Sequence, residues 1–181
     1  VAHIYCEDVF GIVGENFTFP VKVDQKVKEY TWKKNKDKVA EWDGLNKPTY
    51  FGPLWNRSVL FENGSLTIVD LKKDDAGAYE LQNWDSMEDH FLNFVLVVLD
   101  PLPEPKISCN TSDHKLVLNC TANFQGPLNY TWKLSNNPQS YQKQDLSIPL
   151  EDVNTAMEAT CLIKFSQMER SSEISLNQCL P

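Results

Sequence analysis

The sequence predicts an all-β chain of two tandem β-sandwiches, and three observations carry that prediction. Apolar and polar residues alternate with a period of two along most of the chain, and helix-period stretches are short. The first half sets Trp32 well ahead of Asp75-Ala-Gly-Ala-Tyr79 and holds one cysteine, Cys6. The second half runs Cys120, Trp132, Cys161.

In an immunoglobulin-like sandwich an inward tryptophan packs on an inter-sheet disulfide, and a tyrosine two residues before the second cysteine closes a corner. Two residues after Tyr79 stands Leu81, and the other cysteine position falls on Val21. The first domain, residues 1–100, is therefore expected to be variable-type without a disulfide, with Val21 and Leu81 as buried neighbours. Phe17, Phe19 and Val21 share one strand face; Tyr30 and Trp32 point inward next, leaving Glu29, Thr31 and Lys33 outward. Asn35-Lys36-Asp37-Lys38 is a polar turn, and Val39 to Asp43 a short strand. Residues 44–53 carry Gly and Pro punctuation and read as an edge strand and loops. Two further strands flank Asn63-Gly64, a strong hairpin signal.

Asp100-Pro-Leu-Pro-Glu-Pro105 is the boundary, because prolines at alternate positions cannot join a central ladder and make a short, stiff connector. Residues 101–181 are expected to form a smaller constant-type domain. Its four cysteines allow three pairings. Sandwich geometry prefers Cys120–Cys161 across the sheets, leaving Cys109 to meet Cys179 and Cys6 as a free thiol near a frayed terminus. Ala159 stands two before Cys161, so this domain lacks the tyrosine corner.

The net charge of −8 argues against nucleic acid, which wants a basic footprint. Residues 1–100 hold 17 acidic and 11 basic groups, against 8 and 6 in the remainder. Six sequons (Asn16, Asn56, Asn63, Asn110, Asn119 and Asn129) and the paired-cysteine domain favour an extracellular setting with N-linked glycans. No apolar run approaches the roughly 18 residues of a spanning helix. Val1 to Tyr5 lack a signal core, as expected of a mature cell-surface ectodomain whose signal and membrane anchor lie outside these residues. The histidines sit apart, and no phosphate loop, metal-ligand spacing or nucleophile motif is present. An enzyme, a cofactor, a metal site and a small-molecule substrate are not expected.

What remains is surface. Glu29, Lys33, Lys34, Lys36, Asp37, Lys38, Glu41 and Asp43 would form an alternating-sign sheet face, continued by Glu80, Gln82 and the loop from Asp85 to Asp89. The sequons of the first domain fall elsewhere. Mixed charges of this density usually make an ordinary solvated face; the missing glycans shift the balance toward docking.

At Trp32-Lys-Lys-Asn-Lys-Asp-Lys-Val-Ala-Glu41, Gly64-Ser-Leu-Thr-Ile68, the proline linker and Cys179-Leu-Pro181, the chain resembles the signalling-lymphocyte-activation and cluster-of-differentiation-two family of the immunoglobulin superfamily. The resemblance implies an adhesion ligand that binds the T-cell and natural-killer-cell receptor cluster of differentiation two, supporting cell–cell adhesion and costimulation. It implies contact through Glu29, Lys33, Lys34, Lys36, Asp37, Lys38, Glu41 and Asp43, with Phe51 as an apolar contact, interchangeable in alignment with Tyr50, and Glu88 in a loop. The alternatives are another family member, binding itself or a relative through the same face, and a soluble or microbial decoy.

Overall fold

The computed structural model describes residues 6–21, 29–84 and 89–181, in two compact units, Val1–Pro101 and Leu102–Pro181. In chain order the first holds β1 (Cys6–Ile12), β2 (Phe17–Thr18), β3 (Glu29–Lys34), β4 (Asp37–Trp42), β5 (Thr49–Tyr50), β6 (Ser58–Leu60), β7 (Leu66–Ile68), β8 (Gly77–Trp84) and β9 (Asp89–Leu99). Six of these form a sheet in the order β1-β9-β8-β3-β4-β5, facing a three-stranded sheet β2-β7-β6. The fold is all-β and immunoglobulin-like, as the alternation predicts.

Between the sheets lies an aromatic core. The Phe19 ring sits 4.8 Å from Trp32, 4.8 Å from Tyr79 and 5.4 Å from Phe94. Leu81 is fully buried opposite Trp32. Val21, the expected cysteine substitute, is only half-buried and packs at the edge of this cluster. Phe19 occupies the centre instead. The pleat parity was right, but a benzyl ring reaches further between the sheets than an isopropyl group, so the larger residue fills the gap a disulfide would bridge.

An ion pair adds to the core. Arg57 binds Asp75 through both guanidinium nitrogens, at 2.7 and 3.1 Å, and the Asp75 side chain is only 3% exposed. The Lys72 amide also donates to Asp75, at 2.8 Å. Burial alone would raise the Asp75 pKa, but the Arg57 and Lys72 hydrogen bonds and the guanidinium charge outweigh it and hold the carboxyl below its ordinary range. The Tyr79 hydroxyl donates to the Asp75 carbonyl, which closes the predicted corner. Burial, then the nearby Asp75 charge, pushes that phenol well above its ordinary value.

Strand β1 was not anticipated. It runs parallel to β9, with Cys6 opposite Asn93, so the exposed Cys6 thiol begins a paired strand. The acidic Glu7 and Asp8 conceal that strand in the sequence.

The second unit holds β10 (Lys106–Ser112), β11 (Lys115–Thr121), β12 (Asn129–Leu134), β13 (Ser140–Tyr141), β14 (Asp145–Pro149), β15 (Glu158–Phe165) and β16 (Met168–Ser175). They form sheets β10-β11-β14 and β13-β12-β15-β16. Cys120 on β11 and Cys161 on β15 bridge the two sheets, next to the fully buried Trp132. Cys109 on β10 is bonded to Cys179 in the final 3-10 turn. Ala159 is fully buried at the corner position.

Candidate protein-docking face

Strand parity fixes the outer face of the six-stranded sheet. Tyr30, Trp32, Tyr79, Leu81 and Asn83 are buried, so Glu29, Thr31 and Lys33 of β3 and Glu80, Gln82 and Trp84 of β8 point outward. Register then assembles cross-strand rows. One reads Asn93, Glu80, Lys33, Lys38; the next reads Phe91, Gln82, Thr31, Glu41, Thr49; the third reads Asp89, Trp84, Glu29. A bulge at Val39 re-phases β4, which brings Lys38 beside Lys33. Lys38 also donates to Glu41 at 3.1 Å, with both side chains well exposed.

The expected contact residues divide. Glu29, Lys33, Lys38 and Glu41 share this face. Lys36 lies in the two-residue turn between β3 and β4, where Asn35 (φ 48°) and Lys36 (φ 77°) take left-handed conformations. Asp37 follows at the start of β4, exposed. Lys34 pleats with Trp32, opposite Tyr79, and its ammonium donates to the Asp74 carbonyl at the end of the sandwich. Asp43 folds over its own loop, accepting from the amides of Leu45 at 2.8 Å and Asn46 at 2.9 Å. The Asn46 and Leu45 amides, then the Asn46 side chain, lower its pKa below the ordinary range. Phe51 is half-buried, with its amide on Val39 O. Tyr50 turns inward, its hydroxyl accepting from Leu60 N at 2.9 Å. Glu88 lies outside the described residues.

Register adds one residue that the sequence had hidden and gives another a place. Phe91 is 52% exposed and Trp84 45% exposed, on adjacent strands and the same side of the sheet. Phe91 is obscured because Phe91-Leu-Asn-Phe-Val-Leu96 is apolar at nearly every position, so alternation gives no phase. Knowing that Phe94 is buried would have supplied it. Beside Trp84 the face is acidic, with Glu29 and Asp89 in the same row, while Glu80 lies two rows away along β8, opposite Lys33. At the β3–β4 turn it is basic, with Lys33, Lys36 and Lys38.

Two shallow depressions mark the face. One of about 330 Å³ is lined by Glu29, Thr31, Glu41, Asp43, Lys47 and Thr49. The other, about 600 Å³, is lined by Lys33, Asn35, Lys36, Ala78, Glu80 and Asn93. Among the described residues no cluster of His, Cys, Asp and Glu could hold a metal ion, and no helix is long and apolar enough to cross a membrane. Asn16, Asn56 and Asn63 are exposed and border the opposite sheet.

No protein-family model matches the chain. It is 28% identical over 189 aligned residues to lymphocyte function-associated antigen 3 of Homo sapiens, covering 98% of this chain and 72% of that protein. The crystal structure of the CD2-binding domain of CD58, the same antigen, superposes with a TM-score of 0.59 at 25% identity, covering 94% of this chain and 97% of that one. Murine CEACAM1b matches with a TM-score of 0.52 at 19% identity, over 92% of this chain and 94% of that one, which is a likeness of fold alone.

Proposed function

We propose that this chain is a cell-surface adhesion ligand whose first unit docks a CD2-type receptor on T cells and natural killer cells through the outer face of β9-β8-β3-β4-β5. The observation that carries the reading is the face itself: an alternating-sign surface with no sequon on it, in a unit whose three sequons border the other sheet. The likeness to an antigen with a CD2-binding domain supports the choice of partner. The two disulfides and the sequons support an extracellular, glycosylated setting, and the second unit acts as the membrane-proximal spacer. Glu29, Lys33, Lys36, Asp37, Lys38 and Glu41 make the polar contacts, Phe51 adds an apolar one and Glu88 a further polar one, and Lys34 and Asp43 hold the turn and loop that present them.

Opposite charges across such a face steer encounter and reject mismatched partners, while desolvation cancels much of their attraction. Modest affinity and fast release follow, which suits contacts where many bonds act together. Surface-binding measurement of the chain against recombinant CD2-type ectodomains tests this. Binding should be saturable, and raising ionic strength from about 0.05 to 0.5 M should slow the on-rate. Absence of binding to every such receptor would sink the reading.

The gradient of charge favours one second reading. With acidic groups at one end and lysines at the other, two antiparallel copies of the face are complementary. A self-associating ligand would dimerise in sedimentation at high concentration, and salt would dissolve the dimer.

A further inference from the structure

The outer face carries an apolar strip, Trp84 and Phe91, beside its charged residues. The two are diagonal neighbours: Trp84 pairs with Asp89, and Phe91 stands two positions further along β9, opposite Gln82. Diagonal neighbours on one side of a sheet lie about 7–8 Å apart, within reach of aromatic side chains. Both rings are exposed, whereas Gln82 and Thr31 in the adjoining row are half-buried.

The indole is bracketed by charge of one sign. Register sets Asp89 on one side of Trp84 and Glu29 on the other, so the row runs carboxylate, indole, carboxylate. Neighbouring strands lie about 4.8 Å apart, which puts the two acidic residues about 9–10 Å apart along the backbone row. Both are exposed, and neither has an ion-pair or hydrogen-bond partner among the described residues. Elsewhere on the face the carboxylates are answered from within. Glu80 stands opposite Lys33, Glu41 accepts from Lys38 at 3.1 Å, and Asp43 is held by its own loop.

Two exposed carboxylates alone hold a cation weakly, because water screens them. Two exposed rings alone take any apolar group. Together they select a group that is positive, flat and carried on an apolar stem. Among protein side chains that is arginine. A guanidinium stacks over an indole, offers donors at its edges to carboxylates on either side, and is more weakly hydrated than an ammonium. Its methylene stem would pack toward Phe91. A second copy of this chain has no arginine to give: its two are Arg57, bound to Asp75, and Arg170, whose guanidinium donates to the Leu102 carbonyl. The occupant is therefore a side chain of a different protein.

We propose that Trp84, Phe91, Glu29 and Asp89 form a clasp for one arginine of the protein partner, and that release from this clasp sets the lifetime of the complex. The proposal rests on the CD2-type docking reading and adds to it the group that the partner must present. The lysines of the β3–β4 turn then steer encounter, as rim charges do, while the desolvated centre governs dissociation.

The test is the binding kinetics of the full chain on an immobilised CD2-type ectodomain, whose arginines are also footprinted with phenylglyoxal. Trp84→Ala should weaken binding about tenfold, almost wholly through faster release, and Trp84→Phe, which keeps a ring, should lose about threefold. Glu29→Gln with Asp89→Asn should cost about fivefold in the parent but less than about twofold when added to Trp84→Ala, because both changes act on one bound group. Saturating parent should shield one receptor arginine from phenylglyoxal, and saturating Trp84→Ala should leave it reactive. Three results would each overturn the clasp while leaving the docking reading in place: a loss with Lys33→Glu but none with Trp84→Ala, strictly additive losses, or no shielded arginine. A parent that binds no such receptor would overturn both.

Discussion

The two units solve the same problem with different chemistry. In the second, two covalent bridges tie the sheets and the chain end together, and the corner position holds only Ala159. In the first no bridge spans the sheets. A Phe19–Trp32–Tyr79–Phe94 cluster fills the gap, and the Arg57–Asp75 pair with the Tyr79 hydroxyl pins the corner. A disulfide acts mainly on the unfolded chain, whereas packing and a buried ion pair act on the folded one. The unit without bridges therefore depends on every member of its cluster, and the bridged unit depends on redox state.

The largest separation should come from reduction. Closing loops of 41 and 70 residues implies about 4 kcal/mol for each bridge in the chain-entropy model. Calorimetry of the chain with and without a strong reductant should therefore abolish the second unit's transition and leave the first nearly unmoved. Loss of both together would mean that the first unit does not stand without its neighbour.

Next in size is the buried pair. Asp75→Ala strands Arg57 beside a buried gap and should cost the first unit about 3–5 kcal/mol, with the second unit's transition unchanged. Denaturant titration of the two variants Asp75→Ala and Arg57→Ala would check this; small losses for both would reduce the pair to decoration.

Acid should then distinguish the units. The folded Asp75 carboxyl titrates below its ordinary value of 3.8, so its stabilising contribution is present above that pH and is lost as the pH falls through the lower folded value. The Asp43 carboxyl, also held below its ordinary range, adds a contribution of the same sign. The first unit's melting temperature should drop below about pH 4, and Asp75→Asn should flatten that drop. A profile identical in parent and variant would contradict the assignment. Smaller again is Tyr79→Phe, which removes one hydrogen bond to the Asp75 carbonyl and should cost about 0.5–1.5 kcal/mol.

The contrast also explains what could be read in advance. Cys120, Trp132 and Cys161 declare a sandwich by themselves, and Asp75-Ala-Gly-Ala-Tyr79 declares the corner, because both motifs are local and their geometry is fixed by covalent or short-range constraints. Phe19 against Val21 could not be decided, since parity puts both on one face and only the width between the sheets selects the larger. Arg57 and Asp75 lie 18 residues apart in sequence and meet only when β6 packs beside the corner. On the outer face of the six-stranded sheet, alternation gave the outward side of Glu29, Lys33 and Glu41. It also counted Lys34 with them, although the residue after Lys33 must turn to the other side, where Asp74 offers a carbonyl.

The most direct measurement is the receptor affinity of two charge reversals, one in each unit. Lys33→Glu inverts a lysine between Glu80 and Lys38 on the proposed face; Lys143→Glu makes the same change in net charge on an exposed loop of the second unit. On this account Lys33→Glu weakens binding to a CD2-type ectodomain by about fivefold or more and flattens the salt dependence of the on-rate. Lys143→Glu stays within about twofold of the parent, as an isolated surface charge should. Equal losses for the two would show that total charge alone governs binding, and the face would have to be abandoned.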